Sequence, residues 1–255
     1  MKVLIFNTFS VPLVSPEPGE RLRRAGQKIK ELNPDLVFLQ EIYTPWHKNL
    51  ITESLADYPY QFIPRNGLFG AGGGLLFFSK IPIDEKRFYP FSVSGSWLDL
   101  SLSDKMARKG FMKLGFKLQK PFYFFHAHMT ANYNNDFSLN NKYSKIIEKQ
   151  LQELSEEIEK VPLINPCFIV GDLNVPPTIS IFKRFLDKTQ SNDLIISPLP
   201  TIRRKLYLLP IPVQFEKIDY LLFRGSGKIK CSPRYIFEED DKLSDHVGIW
   251  AEIEI

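Results

Sequence analysis

Two packed β-sheets flanked by helices, an α/β fold, is the architecture the sequence of 255 residues predicts. Three observations carry that prediction. Residues 2–40 read as strand, helix, strand. Apolar residues fall in short unbroken runs such as Cys167-Phe168-Ile169-Val170, the pattern of strands covered on both faces. Long helical periods are few, so most of the core must be sheet, with helices as outer layers.

Taken in order, residues 2–7 form the first strand and 12–19, with three prolines, a loop. Leu22, Ala25, Ile29 and Leu32 recur at helical spacing over 20–32, with Arg and Lys between them, and Asn33-Pro34 stops that helix. Residues 35–40 form a second buried strand with Glu41 at its end. Thr44 caps a following helix that has Pro45 in its first position. The glycine-rich stretch 65–74 lacks the Lys-Ser or Lys-Thr of a phosphate loop, and reads as a flexible turn before a strand at 75–79. Residues 88–97 are aromatic and irregular. Strands follow at 111–118, where Met112, Leu114, Phe116 and Leu118 share one face, and at 121–127, ending at His128. The longest helix is expected at 137–159, with Glu153, Glu156, Glu157 and Glu159 as its solvated face. Next come the strand ending at Gly171-Asp172, a helix at 181–186, a surface loop at 198–212, and strands at 217–223 and 228–237. A last strand opens at Ser244-Asp245-His246.

Neither a linker between two cores nor a solenoid repeat interrupts this order, so one domain over 1–255 is expected. Apolar content of 44% suits a globular core, and a net charge of +4 with pI near 8.9 is compatible with an anionic substrate or surface. Cys167 lies in a core strand, which favours free thiols over a disulfide with Cys231 and a reduced compartment. The apolar run after Met1-Lys2 is too short for a signal peptide, and nothing approaches the roughly 20 apolar residues of a membrane span. A soluble monomer, cytoplasmic or peripheral at a membrane, is expected.

Asn7, Glu41, His128, Asp172, Asn174, Asp219, Asp245 and His246 mostly lie at or just beyond strand ends, beside dense apolar runs. Buried carboxylates and imidazoles are costly unless paired or bound to a metal. One shared site explains them together. His47 and His126 match no pattern and read as structural. With no third N or S ligand near His126 and His128, zinc is disfavoured.

Six of these stretches, F-N-T-F, Gln40-Glu41, H-A-H-M, G-D-L-N, I-D-Y and S-D-H, stand in one order from residue 7 to residue 246. In that order they resemble the endonuclease/exonuclease/phosphatase superfamily of metal-dependent phosphoesterases. The resemblance implies the deoxyribonuclease-I-like four-layer α/β sandwich, with two packed mixed sheets. Within it the chain looks most like the neutral sphingomyelinases. Asp104-Lys105-Met106-Ala107-Arg108-Lys109-Gly110 resembles the segment those enzymes use as an Asp–Lys switch, and His128-Met129-Thr130-Ala131 is similar to their H-L-x-A. Read alone, 104–110 is a solvated charged turn. The W-C-D-R signature of inositol phosphatases is absent before Asp219.

The resemblance implies Mg²⁺, or Mn²⁺, held by Glu41 with Asn7 and Asp245 in its first or second shell. It makes His246 the general base, oriented by Asp219. Asp172 would orient the water, Asn174 and His128 would donate to the phosphate, and Lys109, paired with Asp104, would add positive charge. The implied substrate is sphingomyelin or a related phospholipid. Nucleic acid is the alternative, although Arg21–Arg24 and Arg203-Arg204-Lys205 are small basic clusters for a duplex. A third reading is an inactive lipid- or partner-binding member. The aromatic hairpin that bacterial sphingomyelinases carry between their last two strands is reduced here to Tyr235 and Phe237. Peripheral membrane contact is therefore expected from 88–97 or 203–211.

Overall fold

The computed structural model describes residues 1–65, 70, 72–99, 101–197, 199–202, 216–240 and 242–254. The basic cluster at 203–205 and the expected membrane segment 203–211 lie outside the described residues. One six-stranded sheet contains β1 (Lys2–Asn7), β2 (Leu36–Gln40), β3 (Tyr60–Phe62), β4 (Leu76–Ser79), β11 (Lys230–Ile236) and β12 (Gly248–Glu254), in the order β11-β12-β1-β2-β4-β3. The other contains β5 (Glu85–Pro90), β6 (Gly110–Lys117), β7 (Pro121–His128), β8 (Cys167–Asp172), β9 (Asn192–Asp193) and β10 (Asp219–Arg224), in the order β5-β6-β7-β8-β10-β9. Both are mixed: β1 runs parallel to β2, and β7 to β8.

Period-two alternation sorts the side chains into three apolar layers. Val3 and Ile5 of β1 meet Met112, Leu114, Phe124 and Phe168 between the sheets. Leu4 and Phe6 point the other way, onto α1 (Pro18–Leu32) and α2 (Pro45–Ser54). The opposite sheet turns Phe125, Ile169 and Leu222 onto α4 (Lys142–Glu159) and α5 (Ser180–Thr189). Helix, sheet, sheet, helix is the four-layer sandwich that the sequence predicts. Aromatic rings bridge its middle: Phe38 sits 5.0 Å from Phe124 across the sheets, and Phe124 stacks on Phe168 at 4.7 Å. Phe124→Ala opens a fully buried cavity there, and a loss of about 3–5 kcal/mol is expected in urea unfolding.

Several boundaries differ from the sequence reading, each for a local reason. Helix α1 begins at Pro18, because proline fits a first turn whose N–H groups lack intrahelical partners. Residues 88–90 are not irregular. They belong to β5, an edge strand whose charges and terminal proline hide its pattern. A short helix α3 (Leu102–Ala107) occupies part of the expected charged turn. Helix α4 starts at Lys142, not 137, because Asn141 caps it by accepting from the Tyr143 and Ser144 N–H groups. Strand β6 ends at Lys117, which leaves Leu118 exposed. Strand β12 begins at Gly248, so Ser244–His246 precedes the strand and forms the loop leading into it.

Candidate active site

Sheet register gathers the polar strand ends. Asn7 pairs with Gln40 across β1 and β2, so Glu41 follows at the same edge. In the facing sheet His128, Asp172 and Asp219 stand side by side on β7, β8 and β10. The loop before β12 brings Asp245 and His246 to the same end, because Ile249 pairs with Ile5.

Backbone conformation then aims the groups. Gly171 has φ +116°, and a Cβ there would meet the Ala127 carbonyl oxygen at 2.2 Å, so only glycine fits. Strand geometry does not persist to Asn174, which is left-handed at φ 51°. Asp172 and Asn174 therefore do not simply share a face. Instead the Asn174 N–H donates to Asp172 Oδ1 at 2.9 Å, and its Nδ2 donates to the Met129 carbonyl at 2.8 Å. Glu41 is also left-handed, at φ 65°, and the next N–H, of Ile42, donates to the Gly74 carbonyl. Gly74 is at φ +73°, with the Tyr43 ring where a Cβ would stand. The described part of the glycine-rich stretch that reads as a flexible turn thus packs closely behind Glu41.

Asn7 Nδ2 spans two carboxylates, donating to Glu41 Oε1 at 3.2 Å and Asp172 Oδ2 at 3.1 Å, while its Oδ1 accepts the Phe9 N–H. The amide thus positions carboxylates, and its oxygen is already engaged. His128 Nε2 faces the same two carboxylates, 3.7 Å from Glu41 and 3.9 Å from Asp172. Across the site His246 Nδ1 lies 2.7 Å from Asp219 Oδ2, and its Nε2 lies 3.9 Å from Asp245 Oδ1. Ser244 Oγ fixes this loop, donating to the Asn7 carbonyl and accepting the His246 N–H. Lys109 Nζ lies 2.8 Å from Asp104 Oδ1 and donates to the same Met129 carbonyl that Asn174 uses. Both side chains are buried, which excludes a solvated turn. Asp104 Oδ2 also accepts from Tyr133 Oη at 3.1 Å and from the Ala131 N–H. All ten sequence-singled residues thus come together at one end of the sandwich.

The electrostatics follow from crowding acids in a dry place. Burial, reinforced by Asp245, pushes Glu41 up to about 7. Burial, reinforced by Asp219, pushes Asp172 up to about 8. Burial also raises Asp245. Burial, and then Lys109 and His246, hold His128 well below the usual imidazole range, so it is neutral. Burial works against the charge on His246, but Asp219 and Asp245 together outweigh it and hold the imidazole well above its usual value.

A divalent cation fits this donor set. Among the described residues, Glu41 Oε2 and Asp245 Oδ2 are buried and receive no hydrogen bond. Carboxylate oxygens of Glu41 and Asp172 lie within 4.8 Å of each other and of a His128 ring nitrogen. Oxygen-rich surroundings suit Mg²⁺ or Mn²⁺ better than a thiophilic ion.

Sequence reasoning missed three supports. Arg21 was placed among the polar residues of its helix, yet it is buried, and it donates to the carbonyls of Thr8, Phe9, Pro16 and Leu243. It ties the end of β1 to the loop carrying Asp245, with its charge toward Asp245 and Glu41. The available signal was spacing: Arg21 stands four residues before Ala25, on the apolar stripe. Arg21→Met removes the guanidinium donors to four carbonyls and is expected to cost about 3 kcal/mol or more in urea unfolding, with partial rescue by Arg21→Lys. Gln40 Nε2 donates to His126 Nε2 at 2.5 Å, joining the sheets beneath the site. Tyr133 was missed because only the fold brings it to Asp104.

Known proteins share this arrangement of the chain. A sphingomyelinase C 2 from Leptospira interrogans is 28% identical over 197 residues, covering 69% of this chain and 30% of its own length. The chain spans between 22% and 41% of the lengths of the curated relatives it matches. Among solved structures, a beta toxin variant from Staphylococcus aureus with bound magnesium ions superposes with TM-score 0.74 at 20% identity, covering 99% of both chains. TDP2 from D. rerio, complexed with a single strand DNA product, superposes at 0.71 with 15% identity, over 100% of this chain and 99% of its own. These two likenesses are of fold. The family match runs over residues 5–246, from β1 to the imidazole held by Asp219, and the chain belongs to the Endonuclease/Exonuclease/phosphatase family.

Proposed function

We propose that the chain is a divalent-cation-dependent phosphodiesterase that removes the phosphorylated head group of a sphingolipid, a phospholipase C-type cleavage, from one catalytic domain. The observation that carries the chemistry is the His246–Asp219 pair at 2.7 Å, at the same end of the sandwich as Glu41 and Asp245, each of which has a buried oxygen without a hydrogen bond. The lipid assignment is supported by the sphingomyelinase relatives and by a yeast inositol phosphosphingolipids phospholipase C that is 32% identical over 118 residues.

Glu41 and Asp245 would hold Mg²⁺ or Mn²⁺, with Asn7 keeping Glu41 and Asp172 in place. A bound cation polarises the phosphoryl oxygen and stabilises the leaving oxygen. Asp219 accepts the hydrogen bond of the His246 Nδ1–H, which fixes the tautomer and leaves Nε2 free to accept the proton of a water oriented by Asp172. The water oxygen bonds to phosphorus as the bond to the lipid oxygen breaks in line. From sphingomyelin this releases phosphocholine and, once the leaving oxygen takes a proton from solvent, ceramide. Neutral His128 can donate from Nε2 to the charge growing on phosphate. Lys109, held by Asp104, adds positive charge, which Glu41 and Asp172 already feel. Asn174 would donate as well once its amide leaves the Met129 carbonyl.

The test is phosphocholine release from sphingomyelin in mixed micelles, with Mg²⁺, with Mn²⁺ and with EDTA. Release that needs the cation and His246 supports the reading. Cleavage of a single-stranded DNA adduct or an aryl phosphodiester by the same preparation, without lipid turnover, keeps the site chemistry and overturns the lipid substrate.

A further inference from the structure

Outside the site, one surface combines apolar exposure with positive charge. Val93, Trp97, Leu98 and Leu102 are four of the thirteen exposed large hydrophobic residues among those described, and they fall within ten positions. Trp97 is 65% and Leu98 95% exposed. Beside them lies a cavity of about 530 Å³ lined by Phe91, Ser92, Ser94, Trp97, Lys105, Met106 and Arg108. Its walls are aromatic and thioether surface, and two cations and two serines share the lining. That is the chemistry of a phosphate carried on an apolar tail, and no small hydrophilic anion needs the apolar part.

Nearby acids do not cancel the charge. Asp99 is bound by Lys142 and by the Ser101 N–H. Asp104, on the same helix as Lys105, turns inward onto Lys109. Glu153 accepts from the Ser92 N–H at the rim. Lys105 and Arg108 have no carboxylate partner among the described residues.

We propose that the surface formed by Val93, Trp97, Leu98, Leu102, Lys105 and Arg108 docks on an anionic phospholipid bilayer, in which Trp97 and Leu98 enter the interface and Lys105 and Arg108 take a lipid phosphate in the cavity. Tryptophan favours the head-group level of a membrane, and each basic residue close to an anionic leaflet strengthens binding about fivefold. The surface stands one short helix from Lys109, so docking here would set the catalytic end of the sandwich beside the membrane. The proposal goes beyond the reaction and does not depend on which phosphodiester is cleaved.

Binding is tested without turnover, in EDTA, by sedimentation with phosphatidylcholine vesicles and with vesicles that also contain phosphatidylserine. Selective binding to the anionic vesicles is expected, weakened by salt. Lys105→Glu with Arg108→Glu should weaken it by about 25-fold or more, and Trp97→Ala with Leu98→Ala by about tenfold at unchanged salt dependence. Thermal unfolding should not change in either variant, and hydrolysis of a soluble aryl phosphodiester should not change in the Trp97→Ala, Leu98→Ala variant. Equal binding to both vesicles, no binding, or binding untouched by these variants would overturn the proposal. So would a cavity that captures inorganic phosphate while the protein ignores vesicles.

Discussion

His246→Ala lowers phosphodiester hydrolysis by about 10²–10⁴-fold, the range expected when a positioned proton acceptor is removed. The expectation rests on one geometry. Nδ1 lies 2.7 Å from Asp219 Oδ2, so the ring is held in one tautomer with Nε2 turned toward the carboxylate end of the site. Alanine also leaves Asp219 buried without its cation, beside Asp172, at a cost in stability of about 3–5 kcal/mol. His246→Asn separates the two effects. Its amide can donate to Asp219 where Nδ1 does, but it has nothing at Nε2. Asparagine should therefore restore most of the stability and none of the rate. The acid limb of the pH profile supplies the sign. With the acids around it unscreened, His246 keeps its proton well above the usual imidazole range and cannot act as a base. A cation held by Glu41 and Asp245 would screen Asp245, and His246 would then release its proton at lower pH. Wild-type rate should rise with pH through that ionisation, and the rise should vanish in both variants. An unchanged acid limb in His246→Asn would assign the ionisation to another group.

The fold was legible because the chain alternates buried runs with turn signals. The run Phe168-Ile169-Val170 becomes β8, and the polar residues closing β1, β7 and β8 mark one end of the sandwich, where antiparallel β10 opens at Asp219. The site was legible for the same reason: a parallel pair such as β7 and β8 puts residues that end their strands next to one another. What sequence could not supply is orientation beyond the strand. The left-handed turns at Glu41 and Asn174 redirect both side chains, and no periodicity encodes them. Nor could it separate a solvated Asp104 and Lys109 from a buried pair, because burial there depends on Met129, Ala131 and Tyr133, which arrive from β7 and the loop after it. Edge strand β5 escaped because an edge carries charges on purpose, against association with other edges.

Glu41→Gln should abolish activity and yet stabilise the cation-free protein. Glu41 ionises at about 7 in the fold against 4.5 unperturbed, a difference that corresponds to roughly 3 kcal/mol. Since the folded value is raised, its favourable contribution is complete below the unperturbed value and is lost as pH rises through about 7. At pH 8 in EDTA the wild-type fold therefore carries a buried carboxylate facing Asp245 and Asp172, and glutamine of the same shape carries none. Thermal unfolding in EDTA should show the variant ahead of wild type at pH 8 and level with it near pH 4. Adding Mg²⁺ reverses the order at pH 8, because only wild type presents the anionic oxygen, Oε2, that now receives no hydrogen bond. Hydrolysis by the variant should fall by about 10³-fold or more, since the charge that offsets the phosphate would be held poorly. Equal Mg²⁺-induced shifts in the two proteins would move the cation to Asp172, Asp219 and His246, the other cluster whose ligand atoms lie within 4.8 Å. A site that destabilises its own fold until a cation arrives is the expected signature of carboxylates gathered for binding and not for structure.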